Sequence, residues 1–264
     1  MKRTVSAHLE IYLYDTVELI LSLAVAEGAH LASESVVAAA SGTPVAVREL
    51  TGRHGTRLHV VTGDAGWINI DYNAEITGAL APPPNEELDL IEYRRPSRYC
   101  ESDSLMPTAT SEFAGLAGKP LLDAVASWVG EKLNYVPGLS RPTDGAVATL
   151  LAREGVCRDY AHLTTALLRS MDVPARLVSV YAPGLQPMDF HAVVEAWVEG
   201  AWHVVDATGL APRQSLVRIA TGQDAAETAF LTQRGGRLDL RNLSVSATVD
   251  SLPVDDPKQL VILG

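Results

Sequence analysis

The chain has 264 residues, 47% of them hydrophobic, enough for one large domain or two modest ones with separate cores. Twenty-one basic against 32 acidic side chains give a net charge of −11, and no basic stripe is visible, which argues against nucleic acid and against an anionic membrane surface as partners. Two cysteines exclude a disulfide framework, and no apolar run reaches the length of a membrane-crossing helix.

Residues 1–105 read as β-rich, because short apolar runs alternate with turn signals. Residues 8–14 and 17–26 are the first strand candidates. The second run follows Asp15 and Glu18 and leads into Glu27-Gly28, so it reads as a strand and not as a secretory signal; a reduced, cytoplasmic setting is expected. Residues 36–40 and 45–50 flank Ser41-Gly42, and residues 57–61 and 67–72 flank Gly63-Asp64. That spacing suggests a small β-sandwich. Pro82-Pro83-Pro84 cannot be strand interior and marks a surface connection. Residues 97–119, rich in Ser, Thr, Gly and Pro, read as a linker. The chain therefore divides into an N-terminal β-rich domain, 1–105, and a core with a C-terminal strand and tail, 106–264.

Helical spacing follows in Leu121, Leu122, Val125, Trp128, Val129 and Leu133. Thr143-Asp144 can cap a second helix ending near Glu154. A third helix starts at Cys157, with Tyr160, Leu163, Thr164, Leu167, Leu168 and Met171 as its apolar stripe. Gly155 suits a sharp turn before it, Cys157 shares the stripe, and Arg158, Asp159, His162 and Arg169 fall off it. Residues 176–181 read as the first strand of a core sheet. Residues 191–198 and 201–206 read as a hairpin about Glu199-Gly200. Residues 242–249 alternate and return to a sheet edge, while Asp255-Asp256 carries no signal.

Cys, then His, then Asp, each on an element that can hold it rigid, is the inventory of a thiol acyl-transfer site. A helix N-terminus and a nearby imidazolium both favour a thiolate at Cys157. A two-residue turn pairs Val198 with Ala201, and hence Val193 with Asp206. His191 then lies on the face of Asp206, one diagonal step away at about 7–8 Å between backbones. The same parity sends His203 to the opposite face. Glu195 is expected opposite Val204, either paired with an arginine such as Arg158 or Arg176 or placed at the cleft, the structural pair being favoured. Cys157, His162, His191 and His203 lack metal-ligand spacing, so no metal and no cofactor is expected.

Gly155-Val156-Cys157-Arg158-Asp159-Tyr160-Ala161-His162, Pro174-Ala175-Arg176, Phe190-His191-Ala192 and Asp206-Ala207-Thr208 resemble the core of the bacterial transglutaminase-like superfamily. The resemblance runs over roughly residues 120–212. It implies an α+β fold with a papain-like core, helices packed on an antiparallel sheet, preceded here by the sandwich-like domain. It also implies a catalytic triad: Cys157 as nucleophile, His191 as base and Asp206 as the acid that orients it. Val193 stands where the family often has an aromatic residue, and Ala207 where it often has proline. Ser97-Arg98-Tyr99-Cys100-Glu101 and Val217-Arg218-Ile219 resemble one bacterial subgroup that carries an N-terminal β-rich domain.

The implied function is a cysteine protease, amidase or transamidase acting on a peptide or protein substrate, with water and an amine both open as acyl acceptors. Two other classes stay open. One is an inactive module that binds peptides in the same groove. The other is a thiol redox sensor using Cys100 and Cys157.

Overall fold

Strict alternation governs the start of the chain in the computed structural model, which describes residues 1–78 and 86–263. β1 (Lys2–Leu13) buries Val5, Ala7, Leu9, Ile11 and Leu13 on one face and leaves the residues between them partly solvated. β2 (Val17–Leu21), β3 (Leu31–Ala40), β4 (Thr43–Val45), β5 (Arg48–Thr51), β6 (Arg57–Gly63) and β7 (Gly66–Thr77) follow. Ser41 and Gly42 take φ of 48° and 83°, the left-handed pair of a tight hairpin, as the sequence suggests. The second expected hairpin is not one. β6 and β7 belong to different sheets, so Gly63-Asp64 carries the chain across the sandwich. Alternation fixes which face a strand buries, not which strand it pairs with. The expectation for Pro82-Pro83-Pro84 lies outside the described residues.

α1 (Glu87–Glu92), α2 (Ser102–Phe113) and α3 (Gly118–Lys132) come next. α2 occupies most of the stretch read as a linker. Its Ser, Thr and Pro content masks Leu105, Ala109 and Phe113, which recur every four residues and are buried with Leu121 and Val125 of α3. β8 (Asn134–Tyr135), α4 (Ala146–Ala152), β9 (Glu154–Gly155) and α5 (Cys157–Ser170) complete the helical layer. The cap of α4 is neither Thr143 nor Asp144. The Ala146 N–H donates to the Glu101 carboxylate at 2.8 Å, and Asp144 accepts from the Arg141 N–H. α5 is buried on every side from Asp159 to Arg169, not only along its apolar stripe. It lies between α2, α3, α4 and the core sheet, so its polar residues find partners inside. Arg169, for example, donates to the carbonyls of Ala175, Arg95 and Gln223.

The core sheet is antiparallel, formed by β10 (Ala175–Tyr181), β11 (Phe190–Val198), β12 (Ala201–Val205) and β13 (Val217–Gly222) in the order β12-β11-β10-β13. Val194, Ala196 and Val198 of β11 pack with α5, and Val193 with Val178, Val180 and Val204 on the other face. After α6 (Ala225–Thr228), the chain returns to the sandwich. β14 (Leu231–Gly235) pairs with β2 and β15 (Leu238–Val249) with β1, giving sheets of order β15-β1-β7-β3-β4 and β14-β2-β6-β5. A boundary at 105/106 leaves these two sandwich strands on its far side. The alternation of residues 242–249 announces a strand; its partner is set by an edge some 240 residues away in sequence.

The two parts share apolar surface. Tyr181, Val217 and Ile219 of the core sheet belong to the sandwich core, and the Tyr181 hydroxyl donates to the Leu23 carbonyl at 2.9 Å. Among the described residues no helix is long and apolar enough to cross a membrane.

Candidate active site

Cys157 is the first residue of α5, and its neighbours fix it there. The Val156 N–H donates to Asp159 Oδ2 at 2.8 Å, and the Asp159 N–H returns to the Val156 carbonyl at 2.8 Å. A Cβ on Gly155 would stand 2.6 Å from the Asp159 Cβ. Gly155 is therefore required by the close approach of Asp159, not by a left-handed turn. Asp159, read from spacing as off the buried stripe, is the residue that closes the first turn.

The two-residue strands β8 and β9 run parallel, with Tyr135 opposite Gly155 and the Val136 N–H bonded to the Gly155 carbonyl at 2.9 Å. This pairing brings Tyr135 beside Cys157, close enough for the cysteine to act on the pKa of its hydroxyl. Burial first, then Cys157, raises the Tyr135 pKa. Sequence reasoning missed Tyr135, and no local signal marks a bridge between segments this far apart.

The β11–β12 hairpin turns at Glu199 and Gly200, with φ of 53° and 80°. Its register is the expected one, Val198 opposite Ala201 and Glu195 opposite Val204, and it carries Asp206 to the flank of His191. His191 Nε2 lies 2.8 Å from Asp206 Oδ2. The other carboxylate oxygen, Oδ1, accepts from the Thr208 N–H at 2.9 Å and the Thr208 hydroxyl at 2.7 Å. Nδ1 of the ring is buried without a close hydrogen-bond partner, with Cys157 near enough to act on the charge of the ring. Burial by itself lowers the His191 pKa, but the Asp206 charge and hydrogen bond, with Cys157, outweigh it and raise the value to about 10. For Asp206, burial acts upward and is outweighed by His191 and Thr208, so its pKa is lowered. Each group thus favours the charged form of the other.

The other sequence candidates lie elsewhere. His203 sits opposite Ala196, on the face away from Asp206. His162 stacks on Tyr99 with ring centroids 5.3 Å apart and accepts from the Ala225 N–H; burial lowers its pKa to about 3, so it is neutral. Among the described residues no three His, Cys, Asp or Glu side chains gather as a metal would need. Cys100 is fully buried, and burial pushes its pKa up to about 12. Glu195 pairs with Arg176, as expected, and also with Arg218; Arg158 instead donates to the Ser140 hydroxyl and the Arg141 carbonyl.

Cys157 and His191 open onto a cleft of about 580 Å³ between α5, the core sheet and the sandwich. Phe190, Phe230, Leu231 and Leu243 form its apolar walls, and Asp189 lies on its lining next to His191. Burial raises the Asp189 pKa against the opposing effects of the Phe190 N–H and His191.

Residues 114–207 match the family model of the transglutaminase-like superfamily. A solved structure of a candidate cysteine protease from Cytophaga hutchinsonii superposes with a TM-score of 0.90 at 29% identity, covering 98% of this chain and 95% of that one. An uncharacterised protein of Mycobacterium leprae is 32% identical over 119 residues, 41% of this chain and 42% of that relative. The chain thus spans less than half the length of that curated relative.

Proposed function

We propose that this chain, which matches the transglutaminase-like superfamily over residues 114–207, is a thiol-dependent acyl-transfer enzyme with Cys157 as nucleophile, His191 as general base and acid, and Asp206 as the group that orients His191. The carrying observation is a Cys at a helix start facing an imidazole whose far nitrogen is held at 2.8 Å by a buried carboxylate.

The Cys157 thiolate attacks an amide carbonyl, and an S–C bond forms. In this reading the oxyanion meets the Cys157 N–H at the helix start, and the Tyr135 hydroxyl, brought next to Cys157 by the β8–β9 pairing, is the candidate second donor. The C–N bond then breaks as His191 passes its proton to the departing amine. Water attacks the thioester, His191 takes its proton, and carboxylic acid and thiol are released. An amine in place of water gives transamidation. The donor is a peptide or protein, consistent with an open cleft of this volume.

Residues 1–105 together with the returning strands β14 and β15 act, in this reading, as a unit set against the catalytic core. Cys100, buried and held protonated, supports a packing role over a redox partnership with Cys157. Two free cysteines fit a reducing, cytoplasmic setting.

The test is a screen of peptide-amide and glutamine donors, with and without a primary amine, alongside iodoacetamide labelling. Turnover with Cys157 labelled much faster than Cys100 is expected. No turnover and no labelling preference at Cys157 would leave a peptide-binding groove as the better reading.

A further inference from the structure

We infer that the sandwich is the specificity element of this site, and that its cleft selects an acyl donor carrying a bulky, uncharged, mainly apolar side chain next to the scissile carbonyl. The inference rests on the acyl-transfer reading above and adds the substrate class.

The cleft has two walls of different origin. The core supplies Phe190, the residue before His191. The sandwich supplies Phe230 just before β14, Leu231 on β14 and Leu243 on β15. The Phe190 and Phe230 rings stack across the seam, centroids 5.3 Å apart and planes 28° apart. These four side chains are only partly covered, unlike the sealed cores on either side. Small residues make the room: Ala226 and Ala229, at α6 and just after it, line the cleft and are exposed.

Charge is scarce on this lining. Apart from His191, the charged residues are Arg158, tied to Ser140 and Arg141, and Asp189, which accepts from the Phe190 N–H at 2.7 Å. Phe190, Phe230, Leu231 and Leu243 carry no counter-ion, so a charged side chain seated among them would be desolvated without a partner; the exposed Asp189 carboxylate is the lining group that can meet a cation. An aliphatic or aromatic side chain loses water against phenyl and leucyl surface instead. A methyl group would leave most of the roughly 580 Å³ unfilled.

The experiment uses 4-nitrophenyl esters of N-acetylated Phe, Leu, Ala, Glu and Lys with the full chain. The thiolate attacks the ester carbonyl, the S–C bond forms, the C–O bond breaks and 4-nitrophenolate leaves, so acylation is read directly. The Phe and Leu esters should exceed the Ala ester in kcat/KM by about tenfold or more, with the Glu ester slower still and the Lys ester below Phe and Leu. Ala229→Trp should cost the Phe ester about tenfold more than it costs the Ala ester, so that the Phe-to-Ala preference falls. Ala226→Trp, on the same lining, serves if the first variant does not fold. Equal rates across the esters, or a Phe-to-Ala preference untouched by the tryptophan, overturns the inference with catalysis intact. Absence of acylation by every ester overturns the catalytic reading instead.

Discussion

β11 carries two buried ionised groups four residues apart, and they have opposite fates. Glu195 is saturated. Its Oε1 accepts from Arg218 at 2.6 Å, and its Oε2 from Arg176 at 2.9 Å and Arg218 at 3.0 Å. Arg176 in turn reaches Asp89 and covers the Trp202 ring at 4.0 Å. His191 is saturated on one side only. Asp206 and Thr208 spend their bonds on each other and on Nε2, while Nδ1 has no close partner and His191 shares the lining of a cleft with Cys157. Both sites combine burial with charge, and both shift pKa values strongly. What separates structure from chemistry is an unspent valence facing open space.

The widest gap between the two clusters is in turnover. Cys157→Ser keeps the shape of the site and removes the thiolate; turnover of amide and ester donors should fall by a factor on the order of 10⁴ or more, with the melting temperature nearly unchanged. A rate near wild type would end the assignment. Asp206→Asn should cost on the order of a thousandfold. With the Asp206 charge gone, burial dominates at His191 and lowers its pKa, so the imidazolium is lost near neutral pH. Iodoacetamide labelling of Cys157 near neutral pH should slow accordingly. The sign of the stability effect follows as well. His191, raised to about 10, contributes stability that is whole below about 6.5 and lost as pH rises through about 10. Wild type should therefore weaken on the alkaline side, and His191→Ala should lack that component. Labelling of His191→Ala that overlays the wild-type profile would leave only the helix terminus to explain Cys157.

The shared face of His191 and Asp206 was legible in the sequence, and so was the Glu195–Arg176 pair, whereas the rest of the Glu195 cluster was not. Two local periods and one turn sufficed to place His191 and Asp206 on one face, because a two-residue hairpin fixes register. The helix start was legible from Gly155 and Cys157, although Asp159 was read as a polar flank and is in fact its lock. Tyr135, the second arginine on Glu195 and the sandwich walls of the cleft were beyond reach. Each depends on a pairing between distant segments, which carries no periodicity of its own. The buried polar face of α5 failed for the same reason: spacing reports one apolar stripe and says nothing of how many layers surround it.

Glu195→Gln sharpens the comparison from the other side. It leaves two buried guanidinium groups without their carboxylate, and breaking such a pair costs about 3–5 kcal/mol. Burial raises the Glu195 pKa, but Arg218 and Arg176 outweigh it and hold it at about 2. Its stabilisation is present above the unfolded value of about 4.3 and lost as pH falls toward about 2. The variant should melt well below wild type and lose that acid-side dependence. Below its melting temperature, Cys157 labelling should stay close to wild type. A collapse of labelling in the folded variant would show that the two clusters on β11 are one device.

The smallest effect concerns the tail that sequence reading passed over. Asp255 accepts from Arg213 Nε at 2.9 Å, from Nη2 at 3.0 Å and from the Arg213 N–H at 3.1 Å. Arg213 also reaches the Val204 carbonyl at 3.3 Å, two residues before Asp206, and the Val204 N–H donates to the Val261 carbonyl at 2.7 Å. The tail thus clasps the strand that delivers the triad carboxylate. The pair is partly solvated, so Asp255→Ala should cost only about 1 kcal/mol after screening. Burial acts upward on the Asp255 pKa and Arg213 outweighs it, so this contribution is present above about 3.9 and fades as pH falls. If the clasp only staples the tail, kcat with the Phe ester should stay within about twofold of wild type. A larger fall in kcat with KM unchanged, alongside a shifted pH profile of Cys157 labelling, would instead make Arg213 and Asp255 positioning residues for Asp206. The clean separation between saturated structure and open chemistry would then fail at the end of β12.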